Sequence, residues 1–404
     1  MPKLELSFDM AILETERVLA SAFELRMVSD VPVGVFLSGG YDSTCVTALL
    51  QKNRTERLKT FTIGSLDAKL NEAPAAKLIA NHLGTDHTEI LCTPSEIKDI
   101  IQDLPYIFDE PHADSSSLPT VLISRAARKH VTVALSADGG DELFAGYNRY
   151  HYYFRYAKPL LRLPFRFRST LSRLLDKHNF SALPGLHNQS HINSRLRKFS
   201  NVLNSHDLHD VTKNIHHVFS DDELSILLSK KKVFYITQFD NTFNYDDKLD
   251  DLSKFLAIDF QTYMTDDVLT KVDRASMSAS LENREPFLDH HVVEWSTRLP
   301  THFKYKNGIK KYILKEIVHQ SVPPVLMNQK KMGFSIPMMD WLFSDLKPLV
   351  YEYLNRRSLT THNLFNIDYI EGLLNEFYSG RKDHYLRIWH LLMFQMWYQR
   401  WMKN

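Results

Sequence analysis

Cysteine is nearly absent from this chain: Cys45 and Cys92 are the only two among 404 residues. They make no C-x-x-C pair and no other metal spacing, which argues against a zinc site or a disulfide scaffold and points to a reducing, cytoplasmic setting. An excess of either charge is also missing, with 49 Lys+Arg against 48 Asp+Glu, so no global field argues for nucleic acid. No uncharged apolar run reaches the ~18–20 residues of a membrane span. The opening MPKLELSFDM has no apolar stretch behind basic residues and does not read as a signal peptide. The pattern GxxxxGK[ST] occurs nowhere, which excludes the phosphate loop of kinase-like NTPases.

A hydrophobic content of 44% is enough for a large core, and this length makes two domains the natural expectation. The stretch VPVGVFLSGGYDSTCVTALL, residues 31–50, organises the rest. Val33, Val35, Phe36 and Leu37 form a short apolar run, the pattern of a strand buried on both faces. Ser38, Gly39 and Gly40 follow, with side chains small enough for backbone N–H groups to approach a ligand. Asp42 and Ser43 then cap a helix whose Val46, Leu49 and Leu50 share one face. Strand, glycine turn and helix N-terminus together make an anion site. A carboxylate beside a polyphosphate is repulsive unless a cation lies between them, so Asp42 reads as a Mg2+ ligand.

Residues 8–28 read as an amphipathic helix. Strands are expected over Lys59–Gly64, His87–Leu91 and Val131–Leu135, with helices over Glu72–Leu83, near Pro94–Gln102 and over Leu118–Lys129. This alternation predicts an α/β fold, a doubly wound parallel sheet whose ligands lie beyond the carboxyl ends of the strands. The strand ending at Leu135 closes like the first: Ser136-Ala137-Asp138-Gly139-Gly140-Asp141-Glu142 is again small-residue loop, acid, helix. Two such junctions on one sheet edge bring Asp42 and Asp141 within reach of one cation.

From about Tyr150 the texture turns aromatic and basic, with Tyr152, Tyr153, Phe154 and Arg155, then Arg162, Arg166, Arg168 and Arg173. It reads as a solvated helix face, with a partner or lipid-facing surface as the alternative. Seven histidines between His178 and His217 lack ligand spacing and read as polar surface. Asp266, Asp267, Lys271, Asp273 and Arg274 surround an apolar stripe of Val268, Leu269 and Val272, and precede a Pro286-Phe287-Leu288 turn, which suggests that these charges face a cleft. Trp389, Trp397 and Trp401 recur at helical spacing and read as core.

The strings FLSGGYDS, LSADGGDELFAGY, DDVLTKVDRASM, SLENREPFLDH, KKYILKE and KMGFSIPMMDW, in this order, resemble the synthetase domain of glutamine-hydrolysing asparagine synthetases, which are ATP pyrophosphatases. The resemblance covers most of the chain and weakens over about 150–250. It implies an adenine nucleotide α-hydrolase-like core over 1–150, a helical variable insertion over 151–260, and a largely helical part over 261–404 that contacts substrate and phosphate. It implies ATP and Mg2+ as cofactors. Ser38, Gly39, Gly40, Asp42 and Ser43 match the pyrophosphate loop; Leu37, Ile63, Ser136 and Ala137 match the adenosine pocket; Asp42 and Asp141 match the Mg2+ ligands. Asp138 matches an acid needed to form the acyl-adenylate, Lys311 a lysine on the phosphates, and Lys271 and Asp273 the region touching the activated carboxyl group.

The implied chemistry is attack of the aspartate β-carboxylate on the α-phosphorus, release of pyrophosphate, and displacement of AMP by ammonia. The same chemistry on another small carboxylate, a sugar uronic acid or a lactam precursor, is the alternative, and an inactive binding module is a third reading. Ala137 stands where many relatives have Gly, and Tyr41 where Leu is common. Relatives carry an N-terminal glutaminase with a nucleophilic Cys after Met1; here Pro2 follows Met1. Ammonia is then taken free, or from a separate glutaminase subunit, or the sequence is a fragment of a longer protein. The resemblance leaves a homodimer open as the assembly, and no nucleic-acid or membrane-spanning partner is expected.

Overall fold

The computed structural model describes residues 2–65, 71–177, 199–200, 202–229, 239, 248–328 and 336–403. The chain divides into two compact units. One comprises Met1–Asp109, Asp114–Tyr147 and Leu252–Pro337; the other comprises Glu110–Ala113, Asn148–Asp251 and Met338–Asn404. The second unit thus joins stretches that lie far apart in the chain.

The first unit is α/β. Its sheet holds five parallel strands, β1 (Val33–Phe36), β2 (Lys59–Ser65), β3 (Asp86–Cys92), β4 (Val133–Leu135) and β5 (Glu282–Arg284), in the order β3-β2-β1-β4-β5. Six helices accompany its first four strands: α1 (Phe8–Met27), α2 (Tyr41–Gln51), α3 (Ala73–Leu83), α4 (Pro94–Phe108), α5 (Ser117–Ala127) and α6 (Gly140–Phe144). Alternation along β1 explains why the sheet is covered twice. Val35 and Leu37 join a core with Leu19 and Phe23 of α1, Val46 and Leu50 of α2, and Ile79 of α3. Phe36 faces the other way, into a core with Phe61, Ala134 and Ile123 of α5. Side chains of one strand point alternately to opposite faces, so a strand apolar at every position needs helices on both.

Local signals place the ends of these elements. Gly84 stops α3 at φ 75°, in the left-handed region. Thr93 and Glu96 form a reciprocal capping box at the start of α4. The strand β5 is a difference from the sequence reading. Glu-Asn-Arg carries no apolar side chain, so pattern alone does not mark it as strand. It is recruited by pairing Val133–Leu135 with Glu282–Arg284, and Ser136 N–H extends that contact to Arg284 C=O at 3.0 Å.

The strand order reverses direction between β1 and β4. The chain runs outward from β1 to β2 and β3, then returns to place β4 on the other side of β1. Such a switch point leaves a crevice at the carboxyl ends of its two strands. Both loops singled out in the sequence, after β1 and after β4, open there.

The second unit is helical over its described residues, with helices at Phe165–Lys177, Leu208–His216, Ile367–Tyr378 and Tyr385–Trp401 among others. Trp389 is fully buried and donates its indole N–H to Ala113 C=O at 2.8 Å. Trp401 is 43% exposed, so the core reading holds for Trp389 and fails for Trp401, which sits on the helix's last, solvent-facing turn. Residues 178–198 of the histidine-rich stretch and 331–335 of the KMGFSIPMMDW string lie outside the described residues, while His206 is exposed and His209, His216 and His217 are partly exposed.

Candidate active site

The loop after β1 is tied by its own serines. Ser38 N–H donates to Ser43 Oγ at 3.1 Å, the two hydroxyls lie 3.0 Å apart, and Ser43 Oγ donates to Gly40 C=O at 3.2 Å. Gly40 is the N-cap of α2 and supplies no side-chain cap, so Asp42 and Ser43 sit in the first helical turn instead of capping it. Gly39 adopts φ +79°, and a Cβ there would lie 3.2 Å from the Ala76 nitrogen. A larger residue would meet both backbone strain and helix α3.

The loop after β4 repeats the arrangement. Ser136 Oγ donates to Asp138 Oδ2 at 2.8 Å. Gly139 adopts φ +92°, and a Cβ on Gly140 would lie 2.7 Å from Asp42 Oδ1. The second loop therefore backs directly onto the carboxylate of the first, a close approach that only glycine permits.

Lys311 closes the two loops together. Its ammonium pairs with both Asp42 Oδ2 and Asp141 Oδ1. The residue arrives by a small hairpin, Tyr305–Lys306 against Ile309–Lys310, whose turn residues Asn307 and Gly308 have positive φ. Lys311 itself has φ 53° as N-cap of the Tyr312–His319 helix. A left-handed lysine is strained, and such strain collects where a side chain must be aimed. Gly146 leaves the space occupied by the Asp141 and Lys311 side chains. The cation shared by Asp42 and Asp141 in this structure is thus an ammonium.

The remaining sequence-marked residues divide. Leu37 and Ser136 are buried at the ends of β1 and β4, Ala137 packs partly buried against the first core, and Ile63 packs against the second from β2. Lys271 donates to Asp114 Oδ2 at 3.1 Å and to Ser116 Oγ at 3.0 Å. Asp114 also accepts from Ser116 N–H and Oγ–H. Burial opposes both charges, but their mutual attraction overcomes it: the Asp114 carboxyl lies below its usual range and the Lys271 ammonium above its own. Asp138 adds to the field that holds Lys271 charged. Asp266, Asp273 and Arg274 are exposed. Of the five charges expected to face a cleft, the structure gives Lys271 a partly buried carboxylate partner at short range. Lys271 lies two residues past a π-helical turn, Met264–Leu269, a feature often found beside functional positions.

Sequence reasoning missed several neighbours. Glu142 is buried, and burial with Asp141 beside it pushes its carboxyl up to about 7, while Tyr147 O–H donates to it at 2.6 Å. Glu285, just past β5, is likewise pushed up to about 7 by burial and by Asp138. Tyr41 O–H donates to His319 Nε2 at 3.2 Å, since His319 Nδ1 faces Val322 C=O, and Lys315 lies 4.9 Å over the Tyr41 ring. The Lys315 ammonium is lowered by burial and by Lys311, one helical turn away. Strings such as SLENREPF and KKYILKE contained these residues, but nothing local in them signals which side chains turn inward.

Residues 14–399 match the asparagine synthase family. The chain belongs to that family. It is 31% identical over 394 residues to asparagine synthetase [glutamine-hydrolyzing] 1 of Bacillus subtilis, covering 96% of this chain and 59% of the relative. It is also 31% identical over 397 residues to a putative asparagine synthetase [glutamine-hydrolyzing] of Mycobacterium tuberculosis, covering 95% of this chain and 57% of the relative. A protein named Amidase chyE from Penicillium rubens is 25% identical over 355 residues, covering 80% of this chain and 52% of that protein. The chain therefore spans under two thirds of the length of the curated relatives it matches. Its five-stranded parallel sheet with many helices is the α/β fold expected for an ATP pyrophosphatase. No described helix is long and apolar enough to cross a membrane.

Proposed function

We propose that this family member is an ATP-dependent amide-forming ligase that activates the aspartate side-chain carboxylate and transfers it to ammonia. One observation carries the reading: Lys311 draws the loops of the two strands flanking the switch point onto a single charge. A buried ammonium between two carboxylates suits a site that must hold several negative phosphates and release some of them.

The roles follow from chemistry. A carboxylate does not react with ammonia, because oxide would have to leave. Attack of a carboxylate oxygen on the α-phosphorus, with cleavage of its bond to the bridging oxygen, makes the acyl-AMP and frees pyrophosphate. The nitrogen lone pair of ammonia then forms the C–N bond, AMP departs and the nitrogen loses a proton. Backbone amides of Gly39 and the start of α2 would hold the departing pyrophosphate. Lys311 would offset charge on its oxygens, and Leu37, Ile63, Ser136 and Ala137 would line the adenosine. Asp138 and Lys271 would orient the acceptor carboxylate, with Asp273 at the rim. The donor set at the loop junction also fits Mg2+: two hard carboxylate oxygens converge on one point, with glycines at 140 and 146 leaving room around it. Asp42 and Asp141 would hold that ion, which when bound supplies positive charge against the polyphosphate.

The amidase name of the fungal relative favours a second reading in which the chemistry is kept and the acceptor is another small carboxylate. The ammonia is taken free or from a glutaminase, as the "glutamine-hydrolyzing" names of the bacterial relatives suggest. The test is the purified protein with ATP, Mg2+, a nitrogen donor and a panel of carboxylates, assayed for AMP and pyrophosphate. Asparagine made from aspartate supports the first reading. Pyrophosphate released with a uronic acid but not with aspartate replaces it by the second, and ADP with inorganic phosphate would overturn both. Running ammonium against glutamine identifies the nitrogen donor.

A further inference from the structure

The helical unit contains a helix that buries an arginine and exposes a phenylalanine. In Phe165–Lys177, Arg168 and Ser172 face inward, one turn apart, at 3% and 0% exposure. Arg168 is held by three carbonyls: its Nε donates to Leu163 C=O at 3.0 Å, and one terminal nitrogen donates to Leu203 C=O at 3.0 Å and Ser205 C=O at 2.6 Å. Ser172 Oγ lies 2.7 Å from Ser200 Oγ. These bonds lock the helix's rotation. As a result Phe167 is turned outward at 60% exposure; Phe165 and Leu163 are 40% exposed and Tyr156, on the preceding segment, 50%.

Arg155, Arg162, Arg166 and Arg173 are exposed, as a solvated helix face requires, but exposed apolar side chains are interleaved with them. Between 148 and 175 no Asp or Glu occurs. The Phe165 ring is further fixed by stacking on His206 at 4.3 Å, so the apolar surface is held in place.

We propose that this surface, Tyr156 to Phe167 with Arg173, binds the face of an anionic lipid bilayer. The rings and Leu163 enter the boundary between headgroups and acyl chains, and the arginines meet lipid phosphates. Exposed apolar side chains flanked by cations are the composition that lies in such an interface, and negative surface potential rewards each cation near it. Two alternatives fit less well. A second copy of this chain would set the same cationic patch against itself, because a two-fold contact pairs identical surfaces. A nucleic acid would pair with the arginines and could stack on the rings, but it offers nothing for aliphatic Leu163. The proposal is independent of which carboxylate the enzyme activates.

The experiment is co-sedimentation of the full chain with vesicles of phosphatidylcholine alone or containing about one third phosphatidylglycerol. Binding is expected on the anionic vesicles, at least ~10-fold stronger than on the neutral ones and weakened ~10-fold by raising salt from 0.1 to 0.5 M. Phe165→Ser with Phe167→Ser should lower anionic-vesicle binding by about tenfold, with pyrophosphate release per folded molecule unchanged. Arg166→Glu should weaken it in the same direction. No binding to anionic vesicles would overturn the proposal, and so would binding that the phenylalanine pair does not affect, since that is charge adhesion without insertion. A dimer in sedimentation velocity that Phe167→Ser dissociates would overturn it in favour of self-association. Retention of single-stranded RNA in place of vesicles, lost in the same variant, would overturn it in favour of nucleic acid.

Discussion

Lys311 in the α/β unit and Arg168 in the helical unit are equally hidden, at 5% and 3% exposure, yet they are held in opposite ways. Lys311 sits between two carboxylates on two separate loops, with its backbone in the left-handed region. Arg168 sits on a regular helix and gives its protons to three neutral carbonyls. A cation neutralised by anions can exchange them for other anions. A cation coordinated by carbonyls has no such exchange to make, and its removal leaves main-chain oxygens unsatisfied. The first arrangement suits chemistry on a charged ligand, and the second is architecture.

The largest expected effect breaks the first arrangement. Lys311→Met keeps the length of the side chain and removes its charge. Pyrophosphate release should fall on the order of 10²–10³-fold, measured in single turnover with ATP and the preferred carboxylate. Asp42 and Asp141 then face each other without a cation between them. Added Mg2+ should therefore raise the melting temperature of the variant more than that of the parent. An equal or smaller rise would mean that the two carboxylates do not form a cation site. Asp42→Asn should also abolish pyrophosphate release while leaving unfolding cooperative.

Arg168→Met should show the converse. Three carbonyls lose a charged donor, a loss on the order of 2–4 kcal/mol in denaturant unfolding, while AMP formation per folded molecule stays within about twofold. A fall in rate comparable to that of Lys311→Met would erase the distinction between the two cations.

A smaller effect separates two carboxyls of the α/β unit. Asp114 is held below the usual carboxylate range because Lys271 and Ser116 outweigh its burial, so its contribution is present above that range and disappears as pH falls through it. Glu285 is pushed up to about 7. The folded state binds its proton more tightly than the unfolded state, so stability is greatest below about 4.5 and declines as pH rises through about 7. Glu285→Gln should flatten the stability profile between those values by about 3 kcal/mol, and Asp114→Asn should leave that window unchanged.

How much of this was legible in the sequence depends on whether the information is local. The strands β1 to β4 are apolar or alternating runs, β1 and β4 are closed by glycine-bearing loops, and their order along the chain already implied a parallel sheet. Asp42 and Asp141 stood out because each follows a strand and a pair of glycines. The pairing of Lys271 with Asp114 spans 157 positions, and no local pattern encodes it. Pattern also shows which residues share a helix face but not which face turns inward. That is why Arg168, a surface residue by its chemistry, was read as solvated when three distant or loop carbonyls in fact draw it in.

The smallest expected effect concerns Tyr41, one of the two positions that the sequence resemblance marks as a departure. Tyr41 opens α2 beside the loop glycines, with its ring under Lys315 and its hydroxyl on His319. Tyr41→Phe keeps the ring and removes one partly buried hydrogen bond, typically about 1 kcal/mol. Tyr41→Leu removes the cation–ring contact as well, which adds about 0.5–1 kcal/mol at a partly exposed site. If the tyrosine positions Lys315 toward the phosphates, the KM for ATP should rise about twofold in the phenylalanine variant and further in the leucine variant, with kcat nearly constant. If both variants lose stability and keep the parent KM, Tyr41 and Lys315 belong with Arg168, as structure that happens to lie beside the site.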